Sequence, residues 1–401
     1  MRTPDTPERY RGFSGGLQAL WKQNERADWE ASYAFDQYDK SEYRRLTKAD
    51  VRHYSNVQNS FRLVYNLRFG ENDVLTLGTD YLHDYLYNKN LDGKTRKQDA
   101  FDAFAQYDWN IRKNLELVGA LRYDYFSDHH FSHLTPKVSL RYEPLAHMNL
   151  RLGYGMGFRA PTLKEKYYEF DMAGIWFVVG NPNLKAEVSH NFNLSAEYAR
   201  RGYSFILNGY YNHITNKIAT GAPYLAHPTD PIPHLSYINL AAHSVVGMEA
   251  AVQGHWRNGL TARLAYTLTA ENLPRNKAGE RMSAQYIPAR KHSLMVHADW
   301  EHRFHKNFGM TLGIDGRYLS GVTNPEYIDY YDVSKGMRDI EYPGYTLWKL
   351  SAAGQFKKGV KITLALDNLF NYRPKYYYLN SPLTDGINVM LGVSIDIDKL
   401  F

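Results

Sequence analysis

Residues 115–125 read LELVGALRYDY, and the alternation in this stretch carries the fold. One register holds Leu115, Leu117, Gly119, Leu121, Tyr123 and Tyr125, while the other holds Glu116, Val118, Ala120, Arg122 and Asp124. Successive side chains of a strand point to opposite faces, so this segment is a strand with one greasy face and one charged face. The same division separates Leu260, Ala262, Leu264, Tyr266 and Leu268 from Thr261, Arg263, Ala265 and Thr267. It separates Ile362, Leu364 and Leu366 from Thr363, Ala365 and Asp367. Alternation of this kind also suits a β-sandwich, so it establishes β structure without choosing an architecture.

The connections make that choice. About 17 strand candidates follow one another, joined by links that alternate between tight and long. The tight links include 23–27, 69–73, 111–114, 199–202, 256–259 and 356–359, and the long ones 40–51, 161–187, 219–234, 273–288, 321–345 and 372–386. Short turns at one end and long loops at the other are the habit of outer-membrane barrels, and soluble sandwiches have no reason to keep them apart. In the strand from Tyr203, the register Tyr203, Phe205, Leu207, Gly209, Tyr211 sets two tyrosines roughly 20 Å apart, near the height of a lipid-facing band with aromatic girdles. The segment 387–401 places Val389, Leu391, Val393, Ile395, Ile397 and the terminal Phe401 in one register, which makes Phe401 the candidate membrane-insertion end.

Composition agrees and removes alternatives. The chain has 401 residues, 44% hydrophobic and 22% charged, too apolar and aromatic for disorder. It lacks the run of about 18 apolar residues a spanning helix needs; its mean hydropathy of -0.54 is that of a water-soluble protein, but barrel strands average out as mildly hydrophobic, so the value is uninformative by itself. The 34 tyrosines and 29 glycines suit many strands, tight turns and a membrane interface, and the absence of Cys removes disulfides and thiolate sites. A net charge of +6 without a basic stripe argues against nucleic acid. No G-x-S-x-G, H-E-x-x-H or phosphate loop is present, so no enzymatic activity is expected. The N-terminus has no apolar h-region or cleavage site, so no signal peptide is recognised and the chain is expected to be a piece of a longer exported protein.

Four stretches carry a family likeness. Gly157-Phe158-Arg159-Ala160-Pro161 is followed by Gly180-Asn181-Pro182-Asn183-Leu184-Lys185-Ala186-Glu187. Further on come Tyr286-Ile287-Pro288-Ala289-Arg290-Lys291-His292 and Leu366-Asp367-Asn368-Leu369-Phe370-Asn371. The first two resemble the paired FRAP and NPNL boxes of TonB-dependent outer-membrane receptors, best known from haem receptors; the others resemble a strand-entry segment and the NLF turn before the last hairpin. On the residues alone, Pro161 ends a strand and Asn181-Pro182-Asn183 is turn chemistry, so both boxes are as well read as loop-shaping elements. The resemblance implies an all-β fold: a transmembrane antiparallel barrel, with residues 1–401 forming one partial domain of about 17 of the family's 22 strands. The plug, the TonB-engaging motif and about five strands would then lie outside the chain. An odd strand count sets the first and last strands running the same way, so they are not expected to close an antiparallel barrel.

The resemblance further implies a bacterial outer-membrane transporter that captures an iron- or metal-bearing nutrient. Haem or another porphyrin is slightly favoured over a ferric siderophore, with cobalamin third; a passive porin or an inactive remnant is the alternative. No resident cofactor is expected, since the metal arrives as cargo. The expected partners are outer-membrane lipid and lipopolysaccharide, the TonB complex through the plug, a small-molecule metal chelate and a surface lipoprotein. Haem receptors of the family usually carry a histidine between the boxes, whereas residues 162–180 here have none. Tyr167, Tyr168 and Met172 are candidate axial ligands there, with loop packing the plainer reading. His129 and His130 sit at an expected hairpin tip, where they are metal-ligand candidates or ordinary solvated polar residues. Tyr327, Tyr330 and Tyr331, and Tyr376 and Tyr377, offer flat aromatic surface in late loops, equally suited to porphyrins, corrins and catecholates. Arg44, Arg45, Lys48, Lys94, Arg96 and Lys97 could meet lipopolysaccharide phosphates or simply be solvated.

Overall fold

The computed structural model describes residues 7–70, 72–91, 95–172, 174–272, 275–277, 279, 288–329, 332–356, 359–374, 382 and 384–397, leaving aside the His129 and Val333 side chains. Its elements run in chain order as β1 (Glu8–Lys22), β2 (Ala27–Arg44), β3 (Ala49–Phe69), β4 (Asp73–Asn88), β5 (Thr95–Arg112), β6 (Leu115–Phe126), β7 (Phe131–Tyr142) and β8 (Met148–Arg159). A loop with α1 (Leu163–Tyr167), β9 (Phe170–Met172) and β10 (Trp176–Val179) leads to β11 (Glu187–Arg200) and β12 (Tyr203–Thr215). Next come β13 (Ile218–Thr220), β14 (His234–Asn239), β15 (His243–His255), β16 (Leu260–Glu271), β17 (His292–His305) and β18 (Phe308–Leu319). The chain continues through β19 (Val322–Tyr327), β20 (Met337–Tyr342), β21 (Tyr345–Phe356), β22 (Val360–Asp367) and β23 (Asn388–Ile395). Seventeen of these strands form one sheet, each paired antiparallel with its neighbours, in the order β1 to β8, β11, β12, β15 to β18, β21 to β23. The other six form two small sheets inside the long links and have no counterpart in the alternation pattern.

The wall is inside-out relative to a water-soluble domain. In β6 the apolar Leu121 is 47% exposed while Asp124 is 7% exposed. Asp80, Asp102 and Asp124 stand opposite one another on three adjacent strands, and Arg122 reaches all three at 3.5, 2.8 and 2.8 Å. Charges turned inward and leucines turned outward are stable only when the outer solvent is hydrocarbon. Tyr203, Phe205, Leu207 and Tyr211 are exposed on the outer face of β12, as their register predicts, as are Ile362 and Leu364 of β22.

Tight turns occupy one end. Gly70, Gly202, Gly259 and Gly359 all have positive φ there, a conformation that costs a residue bearing a Cβ. At Gly259 a Cβ would also stand 1.9 Å from the Glu301 carbonyl oxygen. The opposite end carries the long links, together with short ones such as 45–48 and 127–130. The expected loop at 40–51 is replaced by continuing strand: β2 runs to Arg44, β3 starts at Ala49, and residues 45–48 make the turn, with one bulge at Lys40/Ser41. The ladder persists because the 21 residues of β3 rise roughly 50 Å along the barrel axis, twice the apolar band, and its upper rungs are polar enough for water. Arg9 lies 3.6 Å over the Tyr43 ring and Arg11 pairs with Asp50 at 2.7 Å, holding those rungs together.

β1 and β23 run in the same direction, from the loop end to the turn end. No ladder joins them among the described residues, and every residue of both strands is exposed. The sheet therefore has two open edges, as an odd strand number requires.

Candidate functional site

The two boxes meet at the loop end, where they anchor a strap that starts from β8. Pro161 stops β8, and Thr162 then opens α1 with a capping box: its hydroxyl accepts from the Glu165 amide at 3.2 Å while the Glu165 carboxylate accepts from the Thr162 amide at 2.8 Å. The same carboxylate accepts Arg159 Nη1 at 3.0 Å from each oxygen, and Arg159 Nη2 donates to Glu187 at 2.7 Å. Glu187 in turn accepts the Ile218 amide at 2.7 Å, so one arginine ties strap, wall and the next outer loop together.

The second box closes the strap. The Asn181 amide donates to the Glu165 carbonyl at 2.9 Å, its Oδ1 accepts the Asn183 amide at 2.9 Å, and its Nδ2 donates to the Tyr237 carbonyl at 2.7 Å. Leu184 is buried, and Asn239 exchanges two hydrogen bonds with the Lys185 backbone at 2.7 and 2.8 Å. Gly180 passes so close to α1 that a Cβ would stand 2.6 Å from backbone atoms of Lys166 and Tyr167. Ala160 is buried at the junction, and Phe158 stacks on His133 at 4.6 Å.

Between its anchors the strap turns inward across the mouth. Leu163 packs with Tyr54 of β3 and Leu86 of β4, five and four strands from where the strap left the wall. Lys166 is 1% exposed; its ammonium is bonded to Asp128 and lies 5.6 Å from the Phe131 ring and 5.4 Å from the Tyr167 ring. A lysine is this buried only when its charge is matched, and here a carboxylate and two ring faces do so.

The candidate residues fall in different places. Tyr167 donates to Asp128 at 3.2 Å under the Arg96 guanidinium, and burial, reinforced by that carboxylate, pushes its phenol up to about 12. Tyr168 stacks on Phe170 at 5.0 Å and meets Tyr54 at a tilt, with centroids 4.9 Å apart. Met172 stands exposed opposite Trp176 in the β9–β10 hairpin, and Tyr327 pairs with Met337 at the tip of the β19–β20 hairpin, so those two belong to separate small sheets. His130 is exposed with φ +52° and bonds Tyr125 through Nδ1 at 3.0 Å. Among the described residues no group of three histidine or acidic side chains is placed to hold a metal. The His129 side chain, Tyr330, Tyr331, Tyr376, Tyr377 and Phe401 lie outside the described residues.

Sequence reading missed what the strap rests on. Tyr10, Tyr38 and Tyr54 lie in the inward register of β1, β2 and β3 and continue the row of rings from Tyr168 and Phe170, stacked for Tyr10–Tyr38 with centroids 6.2 Å apart and edge-to-face for Tyr38–Tyr54 at 6.1 Å. Lys164 Nζ lies 5.1 Å from the Tyr54 ring, and Lys40 Nζ 5.7 Å from the Tyr10 ring. The result is an aromatic ladder with two ammonium groups, on the lumen side of the mouth. The available signal was tyrosine in the polar register of the extended strands, where alternation calls for a charge.

This wall matches the family described as the TonB dependent receptor-like β-barrel over residues 3–369. The chain belongs to that family. Members of the TonB-dependent receptor family are outer-membrane receptors and transporters rather than enzymes, and this barrel wall is an outer-membrane one. Curated relatives include the ferrienterobactin receptor of Escherichia coli, 24% identical over 69% of this chain and 37% of its own length. The ferric enterobactin receptor of Pseudomonas aeruginosa is 22% identical over 77% of this chain and 44% of its own. The iron-regulated outer membrane virulence protein of Vibrio cholerae is 23% identical over 80% and 49%. The chain thus spans less than half the length of these relatives. Among solved structures, the FrpB iron transporter of Neisseria meningitidis superposes with a TM-score of 0.71 at 14% identity, covering 96% of this chain and 64% of that one. The Pseudomonas aeruginosa ferric enterobactin receptor gives 0.70 at 17% identity, covering 91% and 57%.

Proposed function

We propose that this barrel is the wall of an importer that takes up a ferric siderophore of aromatic, anionic type at the outer mouth, with passage driven by TonB through an N-terminal plug. The observation that carries the reading is the lumen-side ladder of Tyr10, Tyr38, Tyr54, Tyr168 and Phe170 with Lys40 and Lys164 set against it. Flat π-faces receive catechol rings, and the Lys164 ammonium, with Lys40 beside it already paired to Glu8 at 2.6 Å, opposes the negative charge of a ferric tris-catecholate. The names of the curated relatives point the same way.

Haem, favoured on the boxes alone, loses ground. The span between the boxes offers no histidine, and Tyr167 would have to give up a proton beside Asp128, where its phenol is held neutral.

The test is a titration of the full-length receptor with ferric enterobactin and, separately, with haemin, following tryptophan fluorescence. Ferric enterobactin should bind at least tenfold more tightly, and Tyr38→Ala should weaken it about tenfold by removing one stacking surface. Tight haemin binding with none of ferric enterobactin would overturn the reading.

A further inference from the structure

On the lipid-facing side of β8, β11, β12 and β15, three successive rows of opposed residues can be followed upward. Leu152, Leu194, Gly209 and Met248 form the lowest; Tyr154, Phe192, Tyr211 and Val246 the next; Met156, His190, His213 and Ser244 the third. Apolar gives way to amphipathic and then to polar within two rungs, which sets the third row at the height of the outer-leaflet headgroups.

The two histidines are direct partners across the β11–β12 ladder, so their Cβ atoms are about 5 Å apart on one face. Each ring is held by a hydroxyl on its Nδ1: Tyr154 at 2.9 Å from His190, Ser244 at 2.8 Å from His213. The tautomer in which each hydroxyl donates to Nδ1 leaves the ring N–H on Nε2, and neither Nε2 has a protein partner among the described residues. In that tautomer two N–H donors stand abreast at the membrane surface, and no carboxylate occurs in these rows. Elsewhere on the same face the arrangement differs: His83 and Tyr81 both bond Asp99 at 2.7 Å, and that carboxylate consumes the donors.

We infer that His190 and His213 form a paired-donor site for the phosphate of an outer-leaflet lipid, gripping two non-bridging oxygens of one phosphomonoester. Hydrocarbon covers the rows below, so the occupant is a lipid whose acyl chains lie on Leu152, Leu194 and Met248 while its phosphate reaches the histidines.

The test uses the full-length receptor in dodecyl maltoside, with bisphosphorylated lipid A and its dephosphorylated form as probes, bound species being counted by native mass spectrometry. The wild-type protein should favour the bisphosphorylated form about tenfold, the worth of hydrogen bonds to a charged acceptor. The paired change His190→Phe with His213→Phe keeps rings at the interface and should bring the ratio to within twofold of unity. If that variant does not fold, Tyr154→Phe with Ser244→Ala frees the rings and should give an intermediate ratio. A wild-type protein that does not discriminate, or a folded variant that keeps the wild-type ratio, would overturn the inference.

Discussion

The two rims of this barrel are built by different means. At the turn end each link is a few residues long, and Gly70, Gly202, Gly259 and Gly359 supply the positive φ. Trp21, Trp29, Trp109 and Trp300 lie close to that rim, where distant side chains such as Trp300, donating to the Asn258 carbonyl at 3.2 Å, and Asn110, donating to the Asn72 carbonyl at 2.8 Å, dock on turns whose glycines set the backbone. At the mouth, by contrast, the strap from β8 holds its shape through Arg159, Glu187, Asn181, Asn239 and the Lys166–Asp128 pair, which join residues up to 56 positions apart (Asn181 to Tyr237) and belong to several elements. Local backbone chemistry makes one rim, and long-range polar contacts make the other. The first should therefore fail all at once and the second piece by piece.

Gly259→Ala should have the largest effect. Its Cβ would meet the Glu301 carbonyl at 1.9 Å with φ at +84°, so the wall should lose about 3 kcal/mol or more, measured by urea titration of the receptor folded into vesicles. An unaffected midpoint would break the distinction between the rims.

Asp128→Ala should come next, but only locally. It strands the Lys166 ammonium, and a buried charge that loses its partner costs about 3–5 kcal/mol. That loss should appear as faster hydrogen exchange across 162–186 with an unchanged urea midpoint for the wall, while Lys166→Met should cost far less because Asp128 retains the Tyr167 hydroxyl. Asn181→Ala removes two side-chain hydrogen bonds and should loosen the same strap by about 1–2 kcal/mol in the same measurement. Smallest is Gly70→Ala, where nothing lies within 4 Å of the added Cβ and only the φ of +55° is strained, for about 1 kcal/mol of wall stability.

What the sequence made legible follows the same division. The strand number, the facing of Leu115 to Tyr125 and the parallel sense of the first and last strands all follow from period-2 alternation and turn residues, which act over a few residues. The boxes were visible as Arg159 and Asn181, yet their partners Glu165, Tyr237 and Asn239 carry no pattern of their own, and contacts that close only in three dimensions leave no periodicity to read. The expected loop at 40–51 failed for a related reason: charged residues mark either a loop or a strand that has risen out of the membrane, and only the β2–β3 ladder separates the two. The aromatic ladder was hidden because Tyr38 and Tyr54 occupy the polar register, where a tyrosine reads as an interfacial residue rather than as one rung of a stack.

The central claim is that the apolar register meets lipid and the charged register meets the lumen. Since the chain has no cysteine, single substitutions along β6 report on it cleanly. Spin labels placed by Leu117→Cys, Val118→Cys, Leu121→Cys, Arg122→Cys and Tyr123→Cys in the full-length receptor in vesicles should give oxygen accessibility that is high at 117, 121 and 123 and low at 118 and 122. Accessibility that fails to alternate, or alternates in the opposite phase, would contradict the barrel wall described above.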